Sequence, residues 1–237
     1  MKVERQDGPS RQGRVLVCFA VPDEAVPFKK QIVDGLLPPI DLLLTGMGRE
    51  NAIKSISQAL DISRPSLVIT SGFAGALDRA RKCGDIVGSW DPEFPSAIVE
   101  KAGVRVVRFH CSNTVISDCE RKRSLFNSGA GEAVEMESQF IREACAARRI
   151  PSATIRVILD AAEESLPIDF ESVLDANKRI NWGKFSICLL KNPGAIPKLA
   201  ALGRNSKACA AKLSEALCAG LQAGLTPAPT QINPAKT

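Results

Sequence analysis

The chain reads as an α/β protein: a single domain with a central mixed β-sheet flanked by helices. Three observations predict this. Short apolar runs rich in β-branched residues alternate with stretches of helical period. Glycine turns punctuate them, Gly46-Met47-Gly48 and the run from Gly72 to Gly75 foremost. No shift of composition along the 237 residues marks a second domain.

Residues 1–13 are polar and expected to be disordered. Residues 14–21, RVLVCFAV, form the first strand, which Pro22 ends. A helix follows from near Asp23 or Glu24, with Pro27 tolerated only in its first turn. Residues 40–45 are the second strand, Gly46 and Gly48 make the turn, and residues 49–60 are a helix. Residues 66–70 are the third strand and run into a glycine loop over 71–77. Residues 84–88 are a short fourth strand, and 89–99, with Pro92 and Pro95, are irregular. The alternation over 104–111 predicts a fifth strand, extended past a bend by 114–117. Residues 121–131 read as a loop. A helix over 136–149 then places Met136, Phe140, Ile141, Ala144 and Ala147 on one face, and Pro151 stops it. The apolar run 153–159 suits a strand covered on both faces, with Asp160 at its C-terminal end. After a loop to about Asp169 helical patterns resume, broken at Asn192-Pro193-Gly194; the last helix sets Leu213, Leu217 and Leu221 four apart. The domain is therefore assigned to 14–224, and 225–237, with three prolines, to a flexible tail.

Hydrophobic residues at 45% and charged residues at 24% are ordinary for a soluble protein. The net charge is +5, but no run of five or more like charges occurs, so nucleic acid is not an expected partner. Eight cysteines without a Cys-x-x-Cys pair, and one histidine, His110, argue against a metal site. They read as free thiols of a reducing compartment, which places the protein in the cytoplasm. No stretch approaches the roughly 18 apolar residues of a membrane span, and the polar first fourteen residues do not read as a signal peptide.

Glu135 and Glu137 at a helix start, and Asp160 at a strand end, are placed to share a crevice at the C-terminal ends of strands, where α/β sheets collect ligands. The plainer reading is that the glutamates favour the helix N-terminus and Asp160 begins a turn. His110 reads as a structural strand residue, and Glu163 and Glu164 as surface charges.

Four blocks in order carry a resemblance. Thr45-Gly46-Met47-Gly48-Arg49-Glu50-Asn51-Ala52 is similar to a "TG-G-xNA" turn; Gly72-Phe73-Ala74-Gly75-Ala76-Leu77 with Gly84-Asp85-Ile86-Val87 to a "G-x-AGgL … GDIV" block. Ala133-Val134-Glu135-Met136-Glu137-Ser138 is similar to a "VEME" block, and Ile155-Arg156-Val157-Ile158-Leu159-Asp160 to an "R-x-ISD" strand. Over roughly residues 14 to 165 the chain thus resembles the nucleoside phosphorylase and nucleosidase superfamily, of the purine nucleoside phosphorylase and methylthioadenosine nucleosidase type.

The resemblance implies cleavage of the N-glycosidic bond of a purine nucleoside, with phosphate or water attacking. It makes Asp160 the acid that protonates the base at N7 and puts Glu24 near the nucleophile or the ribose. Met136 and Glu137 would bind the ribose, Glu135 beside them would be a further substrate-binding residue, and Val115 and Ile116 would hold the base. Gly72 and Phe73 would line the substrate, Phe73 as a pocket-narrowing or simply a packing residue. No arginine precedes Gly72 in the phosphorylase manner, so phosphate would fall to Gly46, Gly48, Arg49 and Thr70. An arginine on a helix N-terminus after a glycine turn suits an anion, although a solvated helix charge is the plain alternative. The resemblance implies no cofactor and no metal, with inorganic phosphate as co-substrate.

Two departures stand out. Leu159 occupies the place of the serine that orients the aspartate, and the middle of the chain is short. The second implies a homo-oligomer, dimer or larger, whose neighbouring subunit completes the pocket. Residues 160–167 and 189–199 also resemble the hopanoid-associated phosphorylase branch. That branch implies release of adenine from an adenosyl-lipid and peripheral membrane contact by the basic, apolar C-terminal segment. The alternatives are a hydrolytic nucleosidase of the methylthioadenosine/S-adenosylhomocysteine type and a non-catalytic nucleoside-binding relative.

Overall fold

Apolar runs covered on both faces give the sheet its centre. The structure, a computed structural model, describes residues 3–4, 13–33, 40–175, 178 and 180–225. Val15–Phe19 (β2) is buried at every position and lies parallel between Ile40–Leu44 (β3) and Leu67–Ala76 (β4). On its other side β4 pairs in parallel with Ser152–Asp160 (β9), which Ile86–Trp90 (β5) follows antiparallel and Arg105–Val106 (β6) parallel to β5. Val3–Glu4 (β1) closes the opposite edge, antiparallel to β3. Past the middle of β4, Ala133–Glu135 (β8) pairs antiparallel with it and Phe109–Cys111 (β7) parallel with β8. The sheet is therefore mixed, as the sequence predicts.

Helices cover both faces. On one, Ala25, Phe28 and Ile32 of Pro22–Val33 (α1), Ile98 and Val99 of Ser96–Lys101 (α3), and Leu213, Leu217 and Leu221 form the main core. The three leucines belong to the long helix Ala195–Leu225, and all are fully buried. On the other face, Ala52, Ile56, Ala59 and Leu60 of Arg49–Ser63 (α2) meet Ile141 and Cys145 of Ser138–Ala146. In chain order the remaining helices are Cys119–Asn127 (α4), Phe170–Val173 (α6) and Trp182–Lys191 (α7); Ser138–Ala146 is α5 and Ala195–Leu225 is α8. None of the described helices is long and apolar enough to cross a membrane.

Several sequence expectations change. The glycine run 71–77 is not a loop: β4 continues through Ala76, because β9 and β8 supply ladders on both sides of it. Residues 121–131 are largely helix, since Asp118 caps α4 by accepting from the N–H groups of Glu120 and Arg121 at 3.3 and 3.1 Å. The helix expected from Met136 starts at Ser138, after a strand that takes Ala133 to Glu135. Pro27 sits within α1 rather than in its first turn. The 104–111 strand is broken into β6 and β7, residues 114–117 add no strand, and the irregular 89–99 stretch begins with the end of β5 and runs into α3. Within the segment expected to be disordered, Val3–Glu4 is strand; most of the rest of that segment, and 226–237 of the expected tail, lie outside the described residues.

Candidate active site

The C-terminal halves of β4 and β9 bring three glutamates around one arginine. Arg156 sits on β9, 1% exposed, and its Nη2 pairs with Glu135 at 2.8 Å and lies 3.6 Å from Glu137. Its guanidinium also donates to the Ser71 carbonyl at 3.0 Å and the Thr70 hydroxyl at 3.3 Å. Glu24, near the start of α1, is 5% exposed and accepts from the N–H groups of Ala20, Val21 and Phe73 at 3.1, 3.2 and 2.9 Å. Gly72 makes this approach possible. Its φ is +135°, and a Cβ there would lie 2.6 Å from Glu24 Oε1 and 2.7 Å from Arg156 Nη1. A larger residue would displace both groups.

The two glutamates of the "VEME" block have separate tasks. Glu135 turns inward: it accepts from the N–H groups of Glu137 and Ser138 at 3.0 and 2.7 Å and pairs with Arg156. Through Oε2 it thus caps the start of α5 and supports Arg156, while its Oε1 has no hydrogen-bond partner among the described residues. Glu137 accepts from the Gly48 N–H at 2.8 Å, so the glycine turn after β3 holds it. Met136 is buried between them.

Asp160 lies against Gly75, whose Cβ position is 3.2 Å from Asp160 Oδ2. It gets there through an irregularity: Ala74 pairs with Ile158 but Gly75 with Asp160, leaving Leu159 as an extra residue. Leu159 packs against the main core, which accounts for an apolar residue where a serine was expected. Sequence reasoning missed the partner of Asp160. Lys122 of α4, fully buried, hydrogen-bonds the Asp160 carboxylate. No motif signals it; only the helical period of 119–127 could have.

The four residues expected to hold phosphate are otherwise engaged. The Gly46 N–H donates to the Ala20 carbonyl at 3.0 Å and the Gly48 N–H to Glu137. The Thr70 hydroxyl accepts from Arg156, and the Arg49 guanidinium lies 5.0 Å over the Phe140 ring. The turn thus orients Glu137 and joins strand to helix. Ile116 is buried against Leu77 and Val134, and the Val115 N–H donates to Glu171 of α6 at 2.8 Å. Phe73 packs beside the main core and offers its N–H to Glu24. A groove of about 640 Å³, lined by Ser117, Leu166, Pro193 and Lys198 among others, contains none of the site carboxylates. Glu163 forms an exposed ion pair with Arg79, and His110 lies in β7, as the sequence reading has them.

Burial dominates the electrostatics. It pushes the Glu137 carboxyl up to about 7, against the pull of Arg156 and with the push of Glu135 and Glu24. Glu24 and Asp160 also lie above the ordinary carboxyl range, burial outweighing Arg156 for the first and Lys122 for the second. The sign follows from linkage. A folded carboxyl above its unfolded value near 4.5 holds a proton that the unfolded chain releases, so its contribution is present at low pH and lost as pH rises towards 7. Urea midpoints should therefore fall between about pH 5 and 7, where an ordinary protein is flat or gaining stability. A midpoint that rises across that interval would contradict this electrostatic picture.

No family model matches the chain. It is 29% identical over 171 residues to a 5′-methylthioadenosine/S-adenosylhomocysteine nucleosidase of Glaesserella parasuis, covering 57% of this chain and 74% of that protein. A Staphylococcus aureus nucleosidase of the same name is 24% identical over 177 residues, covering 60% of this chain and 78% of that protein. Among solved structures, the Campylobacter jejuni nucleosidase of that name matches with a TM-score of 0.66 at 13% identity, over 89% of this chain and 99% of that one. Futalosine hydrolase of Helicobacter pylori matches with a TM-score of 0.63 at 14% identity, over 88% of this chain and 97% of that one. At such identities the structural matches speak for the fold.

Proposed function

This chain is a member of the nucleoside phosphorylase and nucleosidase superfamily, and we propose that it hydrolyses the N-glycosidic bond of an adenosine derivative of the methylthioadenosine or S-adenosylhomocysteine kind. The observation that carries the reading is that the one arginine of the site, Arg156, is already taken up by the site's own groups. A phosphate dianion entering there would find its guanidinium bonded to Glu135, the Ser71 carbonyl and the Thr70 hydroxyl, whereas water needs no countercharge. The names of the sequence relatives favour hydrolysis as well, and neither phosphate as co-substrate nor a hopanoid-linked substrate gains support from them.

The chemistry then divides among the chain's own residues. Glu24 takes a proton from the attacking water, and its raised affinity for protons suits a base. Water oxygen bonds to C1′ while the C1′–N9 bond breaks and its electron pair passes to the purine. Asp160 gives a proton to N7. Glu137, fixed by Gly48, grips the ribose hydroxyls and favours the positive charge that grows on the sugar. Arg156 binds no substrate; it holds the carboxylates in place.

The test is adenine release from methylthioadenosine with and without added inorganic phosphate. Release at the same rate in both, with free sugar as product, is expected, and Glu24→Gln should lower it by roughly 10² to 10⁴. A rate that requires phosphate and yields a sugar 1-phosphate would overturn hydrolysis. A folded protein that binds the nucleoside and releases nothing would support the non-catalytic alternative.

A further inference from the structure

Lys122 lies in a stretch that the sequence presents as a loop, yet α4 carries its side chain to full burial. Its Nζ donates to Asp160 Oδ2, to the Ala161 carbonyl at 2.8 Å and to the Glu164 carbonyl at 2.7 Å. An ammonium has three N–H bonds, and each here has an acceptor. Removing such a charge from water is unfavourable unless partners compensate. The lysine is thus bound where it is by the end of β9 and the loop after it. Leu159, directed into the main core, has no polar group with which to orient Asp160.

We propose that Lys122 is a positioning residue for the proton transfer: it binds Asp160 through Oδ2, so that Oδ1 carries the transferable proton and presents it to the leaving base. The inference rests on the reading of Asp160 as the acid. Its physical basis is donor against donor. A proton on Oδ2 would face an N–H already directed at that oxygen, which confines the acid proton to Oδ1. In the step itself the Oδ1–H bond breaks, the N7–H bond forms, and the C1′–N9 electron pair moves into the purine. Lys122 keeps its three protons throughout. The charged groups acting on Asp160 are Lys122 from α4 and Glu164 from the following loop.

The experiment compares Lys122→Met and Lys122→Gln with the native protein on two substrates, methylthioadenosine and a nitrophenyl riboside, whose leaving group needs no proton. Turnover of methylthioadenosine should fall by roughly 10², with KM and nitrophenyl riboside cleavage within about threefold of native. The alkaline limb of the turnover profile should also move to higher pH, because the ammonium no longer favours the carboxylate. Equal loss on both substrates, or unchanged turnover with an unmoved limb, overturns the proposal. Asp160→Asn separates the two assignments: if that variant releases adenine normally, the acid reading itself fails. Should the single variants not fold, Lys122→Met in the Asp160→Asn background leaves no buried charge unpaired. It should turn over no more slowly than Asp160→Asn alone, since Lys122 acts only through Asp160. A further drop would overturn the proposal.

Discussion

Arg156→Met is expected to destabilise the protein more than a loss of comparable packing volume would. The native guanidinium is 1% exposed and is drawn on by Glu135, Glu137 and Glu24. Methionine fills most of the space but leaves these carboxylates buried without a countercharge. Removing one partner of a buried pair typically costs about 3–5 kcal/mol, and here several carboxylates lose the same partner. For a chain of this size that corresponds to a melting temperature lower by roughly 6–20 °C. The signature that distinguishes charge from cavity is pH. Without the arginine these carboxyls hold protons at still higher pH, Glu137 already lying at about 7 in its presence, so the deficit should shrink as pH falls from neutral towards 5. Adding Glu135→Gln should recover part of the loss at neutral pH. A melting temperature within about 2 °C of native at pH 7 would show that the cluster is not held by Arg156. So would a deficit that is the same at pH 5.

Arg156 also marks the limit of what the sequence discloses. Its position in a strand of otherwise apolar residues is visible in the run from Ala153 to Leu159, and so is the glycine that makes room for it. What period and spacing do not reveal is which buried charges meet. Glu135 and Glu137 are two residues apart in one motif, yet one caps α5 while the other is fixed by Gly48 from a different part of the sheet. Nor does spacing reveal that in the Gly46-Met47-Gly48-Arg49 turn the Gly46 and Gly48 N–H groups face Ala20 and Glu137. The strands at the centre are legible because each is apolar on both faces. The glycine-rich end of β4 is not, because Gly72 and Gly75 are there for what approaches them, Glu24 and Asp160, and glycine by itself reads as a turn. α4 is hard to read because its inward face joins one leucine, Leu125, to a lysine, Lys122. A charged residue breaks the apolar period on which helix recognition depends.

Asp160→Asn is the second substitution with a large expected effect, this time on chemistry. The carboxamide oxygen can still accept from Lys122, so the end of β9 and the loop beyond it keep a partner for the buried ammonium. What is lost is the proton. The variant should bind methylthioadenosine, since Met136, Glu137 and the 115–116 segment are untouched. Its turnover should fall by roughly 10² or more, the usual scale for removal of a general acid. Nitrophenyl riboside cleavage should be spared, because that leaving group departs as a stable anion. The contrast separates chemistry from folding: a misfolded site would harm both substrates alike. Normal adenine release by a folded Asp160→Asn would move the proton to another donor. The raised position of Asp160, burial outweighing Lys122, would then be a structural strain with no catalytic use.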